Sequence, residues 1–140
     1  MGPNVIISTK DYAFADELNS LFTRRNFAIT VCNSQVSSIL KILDQKIDFL
    51  ILDFERPNQE CLDFITIIKK TRPNLPIIVF AENPSIDLVI EFYNLGIFYW
   101  SLKPVSEQEM NMIIDALESK KNKNNAFSNN SQQNLGEVIN

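Results

Sequence analysis

The sequence predicts an α/β fold: a five-stranded parallel sheet with helices on both faces. Three observations carry this. Five short apolar runs recur along the chain, and segments with helical apolar spacing stand between them. The runs are continuous rather than alternating, which is the pattern of strands covered on both sides.

The first run is Val5-Ile6-Ile7, closing in polar Ser8-Thr9-Lys10. Segment 11–25 then places Phe14, Leu18, Leu21 and Phe22 on one stripe at three- and four-residue steps. The second run, 27–32, is mostly apolar and β-branched. A helix over 34–46 takes Ser34 as its N-cap and Val36, Ile39, Leu40 and Leu43 as its stripe. The third run, Phe49-Leu50-Ile51-Leu52, ends in Asp53. A helix over 62–71 carries Phe64, Ile65 and Ile68 before Pro73 ends the pattern. The fourth run, Pro76-Ile77-Ile78-Val79-Phe80-Ala81, ends in Glu82. Segment 85–95 carries Ile86, Val89, Ile90 and Tyr93, and Gly96 stops it. The fifth run, Phe98-Tyr99-Trp100-Ser101-Leu102, ends in Lys103-Pro104. Ser106 and Glu109 are spaced as a capping box, and Met110, Ile113, Ile114 and Leu117 make the last stripe. Residues 122–140 are rich in Asn, Gln and Ser and read as a disordered tail or linker behind a domain spanning 1–121.

Composition narrows the chemistry. There is no histidine, hence no imidazole base, imidazole metal ligand or phosphohistidine in this chain. Of three glycines only Gly96 lies in the body, so no glycine-rich loop can cradle a dinucleotide or triphosphate. A net charge of -4 argues against nucleic acid as a direct partner of this segment. Cys32 and Cys61 are not closely spaced and read as reduced buried thiols. The apolar runs are far too short to cross a bilayer, and the start Met1-Gly2-Pro3-Asn4 has no signal-peptide pattern, so no membrane contact is expected and the expected compartment is the cytoplasm.

In an open parallel sheet, sites form at the carboxyl ends of the strands. Those ends carry Thr9, Lys10 and Asp11, then Asp53 and Glu55, then Ala81 and Glu82, then Lys103. The run Asp48-Phe49-Leu50-Ile51-Leu52-Asp53-Phe54-Glu55-Arg56-Pro57 resembles the core motif of response-regulator receiver domains (CheY-like), and Gly96 to Lys103-Pro104 resembles their glycine-to-Lys-Pro segment at full spacing. The resemblance covers roughly residues 4 to 120. It implies a flavodoxin-like sheet in strand order 2-1-3-4-5. It implies Asp53 at the phosphoacceptor position, Lys103 at the phosphate-pairing lysine, Pro104 as a cis-proline, and Ala81 and Trp100 at the two switch positions.

The sequence departs from the family at several of these points. The acidic pair expected after the first strand falls on Thr9 and Lys10, and Cys61 stands where most members have glycine. Magnesium needs several hard oxygen ligands, and an ammonium now stands in place of one of them. Lys10 is therefore expected to act as the counter-ion of Asp53, while Asp53 with Glu55 and Asp11 is the weak remaining metal set. Ala81 removes the hydroxyl that couples phosphate to the aromatic on the fifth strand.

The first reading is an atypical, or pseudo-, receiver that signals by protein–protein contact, is not an enzyme and needs no cofactor. Its partner is a signalling protein or histidine kinase, or a second copy through the fourth helix, fifth strand and fifth helix, a face made aromatic by Phe92, Tyr93, Tyr99 and Trp100. The alternative is a working phosphoreceiver using Asp53 and magnesium. A third reading, an unrelated small α/β enzyme or ligand-binding protein, lacks a nucleophile with a base.

Overall fold

The computed structural model describes residues 2–139, with side-chain surroundings over 2–123. The element order is β1 (Asn4–Ser8), α1 (Tyr12–Arg24), β2 (Ala28–Cys32), α2 (Gln35–Asp44), β3 (Phe49–Phe54), α3 (Gln59–Thr71), β4 (Ile77–Ala81), α4 (Ile86–Asn94), β5 (Tyr99–Leu102) and α5 (Glu107–Ile139). The strands form one parallel sheet in the order β2-β1-β3-β4-β5. The tail expected over 122–140 lies, apart from residues 122 and 123, outside the residues with described side chains.

Successive side chains of a strand point to opposite faces, and each face of this sheet has its own core. Ile6, Leu50, Leu52 and Val79 pack with Ile42 of α2, Ile65 and Ile68 of α3 and Phe92 of α4. Val5, Ile7, Ile51, Ile78 and Phe80 pack with Phe14, Leu18 and Phe22 of α1 and Met110, Ile114 and Leu117 of α5. The continuous apolar runs therefore report two buried faces.

Helix ends follow local chemistry. The side chains of Asp11, Ser34, Asn58 and Ser85 accept hydrogen bonds from the backbone N–H groups of Phe14, Ser37, Cys61 and Leu88. Two ends close through left-handed residues, Asn26 at φ 66° after α1 and Gly96 at φ 89° after α4.

Five local expectations are corrected. The helix expected from residue 62 begins at Gln59, because its first turn is polar and has no stripe to reveal it. β3 runs on through Asp53 to Phe54, so Asp53 belongs to the strand rather than following it. On α2, Val36, Leu40 and Leu43 are exposed, while Ser38 and Ile42 face the sheet. The Ser38 hydroxyl donates to the Ser34 carbonyl, which makes its burial cheap. On α4, Ile86, Ile90 and Tyr93 face outward, while Phe92 is core. Both helices carry two apolar stripes, and periodicity cannot say which one meets the sheet. Lastly, only half of the capping box forms. Glu109 N–H donates to Ser106 Oγ, but the Glu109 carboxylate turns to β5 and accepts from Ser101 and Tyr99.

Candidate functional site

The chain crosses from β2 on one side of β1 to β3 on the other, so the ends of β1 and β3 flank the switch point. Thr9 follows β1 and Asp53 is the last residue but one of β3. Thr9 Oγ1 donates to Asp53 Oδ2 at 2.6 Å. Lys103, one residue beyond β5, donates to the same oxygen at 2.8 Å and to Asp11 Oδ2 at 2.9 Å. The ring closes where Asp11 N–H donates to Thr9 Oγ1 at 3.0 Å. The Lys103 ammonium also lies 4.5 Å from the centre of the Phe14 ring, a cation–π distance. The Lys103–Pro104 peptide is cis.

Three members of the ring are buried, while Asp11 stays partly exposed at its mouth. The Asp53 side chain is 1% exposed and that of Lys103 7%. Burial alone would lower the pKa of Lys103, but hydrogen bonds to Asp53 and Asp11 outweigh it and hold the ammonium above the ordinary lysine value. The same bond from Lys103, with the N–H of Phe14, holds Asp11 below the usual carboxylate range. Asp53 Oδ1 is buried and has no hydrogen-bond partner.

The expected Lys10–Asp53 pair does not form. Lys10 is exposed and makes no ion pair among the described residues, because the chain turns outward between buried Thr9 and the N-cap of α1. The cation beside Asp53 is Lys103. Asp11, weighed at the sequence level only as a metal ligand, is the second carboxylate on that lysine, and Glu55 and Glu82 lie exposed. Asp11 carried a legible signal, since an aspartate two residues after Thr9 both caps α1 and hangs over the strand ends.

At the switch positions, Ala81 is fully buried. Trp100 packs partly buried against the core on the α2–α3–α4 face. Ser101, which sequence reasoning passed over, is buried and donates to Glu109 at 2.7 Å. Its signal was its place as the one short polar residue in an otherwise bulky run. Beside the ring opens a cleft of about 360 Å³, lined among others by Thr9, Lys10, Asn33, Asp53, Glu55 and Cys61. Cys61 is buried, which pushes its thiol pKa up, away from reactivity.

Comparison with known proteins agrees with this architecture. The family model described as response regulator receiver domain matches residues 5–115. The DNA-binding transcriptional regulator NtrC of Bradyrhizobium is 23% identical over 111 residues, which is 79% of this chain and 23% of that protein. The chain thus spans about a quarter of the length of that relative. Among solved structures, a CheY-like response regulator receiver domain protein from Methanospirillum hungatei superposes with a TM-score of 0.77 at 17% identity, covering 88% of this chain and 99% of the other. The receiver domain of the Francisella response regulator 1452 does so with a TM-score of 0.74 at 21% identity, covering 86% and 99%. A sheet in the order 2-1-3-4-5, an aspartate with a buried side chain near the end of its third strand, a lysine reaching it from just beyond the fifth, and a family match over most of the chain lead to one conclusion: this chain belongs to the response regulator receiver domain family of two-component signalling.

Proposed function

We propose that this chain is an atypical receiver that passes its signal by protein–protein contact, without magnesium-dependent phosphorylation of Asp53. The observation that carries the reading is the closed ring of Thr9, Asp53, Lys103 and Asp11. In it, Asp53 Oδ2 already has a hydroxyl and an ammonium as donors, and a desolvated pair of this kind is disrupted only at considerable cost.

The donor set does not suit the metal that the family uses. Thr9 brings a neutral hydroxyl, Lys10 an ammonium, and the Asp11 carboxylate is taken by Lys103. Among the described residues no three His, Cys, Asp or Glu side chains gather to hold a metal. With alanine at position 81, a phosphoryl group would also find no hydroxyl on β4 to pull on.

The face of α4, β5 and α5 suits a partner. Ile86, Ile90, Tyr93, Tyr99 and Leu102 are all exposed there, and such aromatic and aliphatic side chains anchor interfaces. Phe92 is core and Trp100 is half-buried, so neither adds to this surface. In this reading the partner is a signalling protein or histidine kinase in the cytoplasm, or a second copy of the chain, and a DNA-binding output region belongs to the larger protein. No helix among the described residues is long and apolar enough to cross a membrane.

A second reading, a working phosphoreceiver, has one observation in its favour: Asp53 Oδ1 is uncommitted. Intact-mass spectrometry separates the two. After incubation with acetyl phosphate and magnesium chloride, the proposal expects no phosphoryl adduct on the wild-type chain. An adduct on the wild type that is absent from Asp53→Asn overturns it.

A further inference from the structure

A second polar site lies at the opposite end of the sheet, about 13 Å from Asp53 along β3 at some 3.3 Å per residue. Here the loops before β3 and β4 meet α5 at Lys120 and Lys121 around a cleft of about 390 Å³. Among the described residues its charged lining is Lys46, Arg72, Lys120 and Lys121 against a single carboxylate, Asp48. On a chain of net charge -4, this concentration of positive charge runs against the whole.

The carboxylate is already in use. Asp48 accepts from Lys121 at 2.8 Å and from the N–H of Asn4 at 2.8 Å. Among the described residues Arg72 donates only to backbone carbonyls, those of Thr71 and Ile42, and its guanidinium meets no acid. Lys46 and Lys120 make no ion pair among the described residues. Lys69, just behind the wall, donates to the carbonyls of Pro73 and Leu75. Burial and the charge of Lys120 hold its pKa below the ordinary lysine value, as expected where cations lack counter-ions. Like charges packed this way repel one another, and a bound anion relieves that repulsion.

We propose that this cleft is an anion site for a small phosphorylated molecule carrying at least two phosphoryl groups. One face of such a ligand meets Arg72, whose planar donor fork matches phosphoryl oxygens, and the other meets the ammonium groups of Lys46 and Lys120. Two phosphoryl groups match the unbalanced charge where a single chloride or carboxylate does not. A nucleic acid fits less well. A long polyanion would extend beyond the cleft along a chain whose net charge is -4. The site is separate from the Asp53 ring, so it stands whichever way Asp53 behaves.

The test is an amide NMR titration of the full chain with sodium pyrophosphate, at constant ionic strength and without magnesium. The expected result is saturable shifts at residues 46–49, 72–75 and 120–121, with the amides of Thr9 and Asp53 unmoved. Lys46 and Arg72 are exposed, so Lys46→Gln with Arg72→Gln keeps the fold, which the remaining shifts verify. The pair is expected to weaken binding at least about tenfold, as loss of two charge-assisted contacts should. Lys46→Gln alone provides an intermediate case should the double variant unfold. Shifts that do not saturate, shifts that saturate equally in the variants, or tighter binding of a DNA duplex to the same residues would each overturn the proposal.

Discussion

Thr9 shows how one side chain redirects a site. Its hydroxyl is close enough to give Asp53 a short charge-assisted hydrogen bond and also accepts from the backbone of Asp11. A carboxylate there would repel Asp53 and ask for a cation between the two, whereas the hydroxyl needs none. Lys10, one residue on, points away and leaves Lys103 to neutralise both Asp53 and Asp11. Replacing both positions, Thr9→Asp with Lys10→Asp, sets two carboxylates beside Asp53. Magnesium is then expected to bind roughly tenfold tighter than to the parent chain, about 1.4 kcal/mol. The readout is fluorescence of Trp100, the one tryptophan. An unchanged magnesium response would mean that these two positions do not decide metal affinity.

At the scale of elements, the ends of strands and helices are tied together by a few ion pairs. Asp48 joins the start of β1, through the N–H of Asn4, to the segment before β3 and to Lys121 on α5. Arg25, after α1, reaches Asp115 and Glu118 on α5. Burial would raise the pKa of Asp48, but Lys121 and the Asn4 N–H outweigh it and hold the carboxylate below its usual range. Asp11 is lowered too. A depressed carboxylate stabilises the fold above its unfolded pKa of about 3.9, and that contribution is lost as pH falls through the folded value. Lys103 is raised. Its contribution is complete below the unfolded lysine value of about 10.4 and is lost as pH rises through the folded one. The buried Cys61 thiol, raised above its ordinary value, starts to cost stability as pH rises through its unfolded value of about 8.5, so urea midpoints are expected to be level between about pH 5 and pH 8 and to fall on both sides. Asp48→Asn should flatten part of the acid limb and leave the alkaline limb intact. An acid limb identical to that of the wild type would show that Asp48 does not contribute.

At the scale of the whole molecule, stability rests on two cores sharing one sheet. Phe80 is fully buried against α1 and α5, with its ring edge-on to Phe14 at 5.2 Å. Phe80→Ala should cost about 3–5 kcal/mol, a large part of the roughly 5–15 kcal/mol that holds a domain of this size. Ile86→Ala, on the exposed surface of α4, should stay within about 0.5 kcal/mol. Chemical denaturation of the two variants checks the contrast. A loss at Ile86 comparable to that at Phe80 would mean that the α4 surface is held within the fold and is not free for a partner.

Sheet, strand sequence and helix count were legible because burial on both faces forces continuous apolar runs, and because crossover helices must repeat every 3.6 residues. Asp53 and Lys103 were legible from where strands end and the Ser34 cap from purely local chemistry, whereas the Asn58 cap was hidden by the polar first turn of α3. What periodicity left open was orientation. Val36 and Leu40 on α2, and Ile86 and Ile90 on α4, form stripes as regular as the ones that are buried, and only packing against the sheet separates core from surface. The partner of Asp53 was open for the same reason. Lys10 and Lys103 lie 43 and 50 residues from Asp53, so separation along the chain does not choose between them. The sheet brings the ends of β1, β3 and β5 to one edge while the turn into α1 carries Lys10 outward. The sequence by itself determined the kinds of side chain at the site and the elements that deliver them. The tertiary structure alone decided which charges meet, because a buried ion pair forms between groups that the fold desolvates together, whatever their separation along the chain.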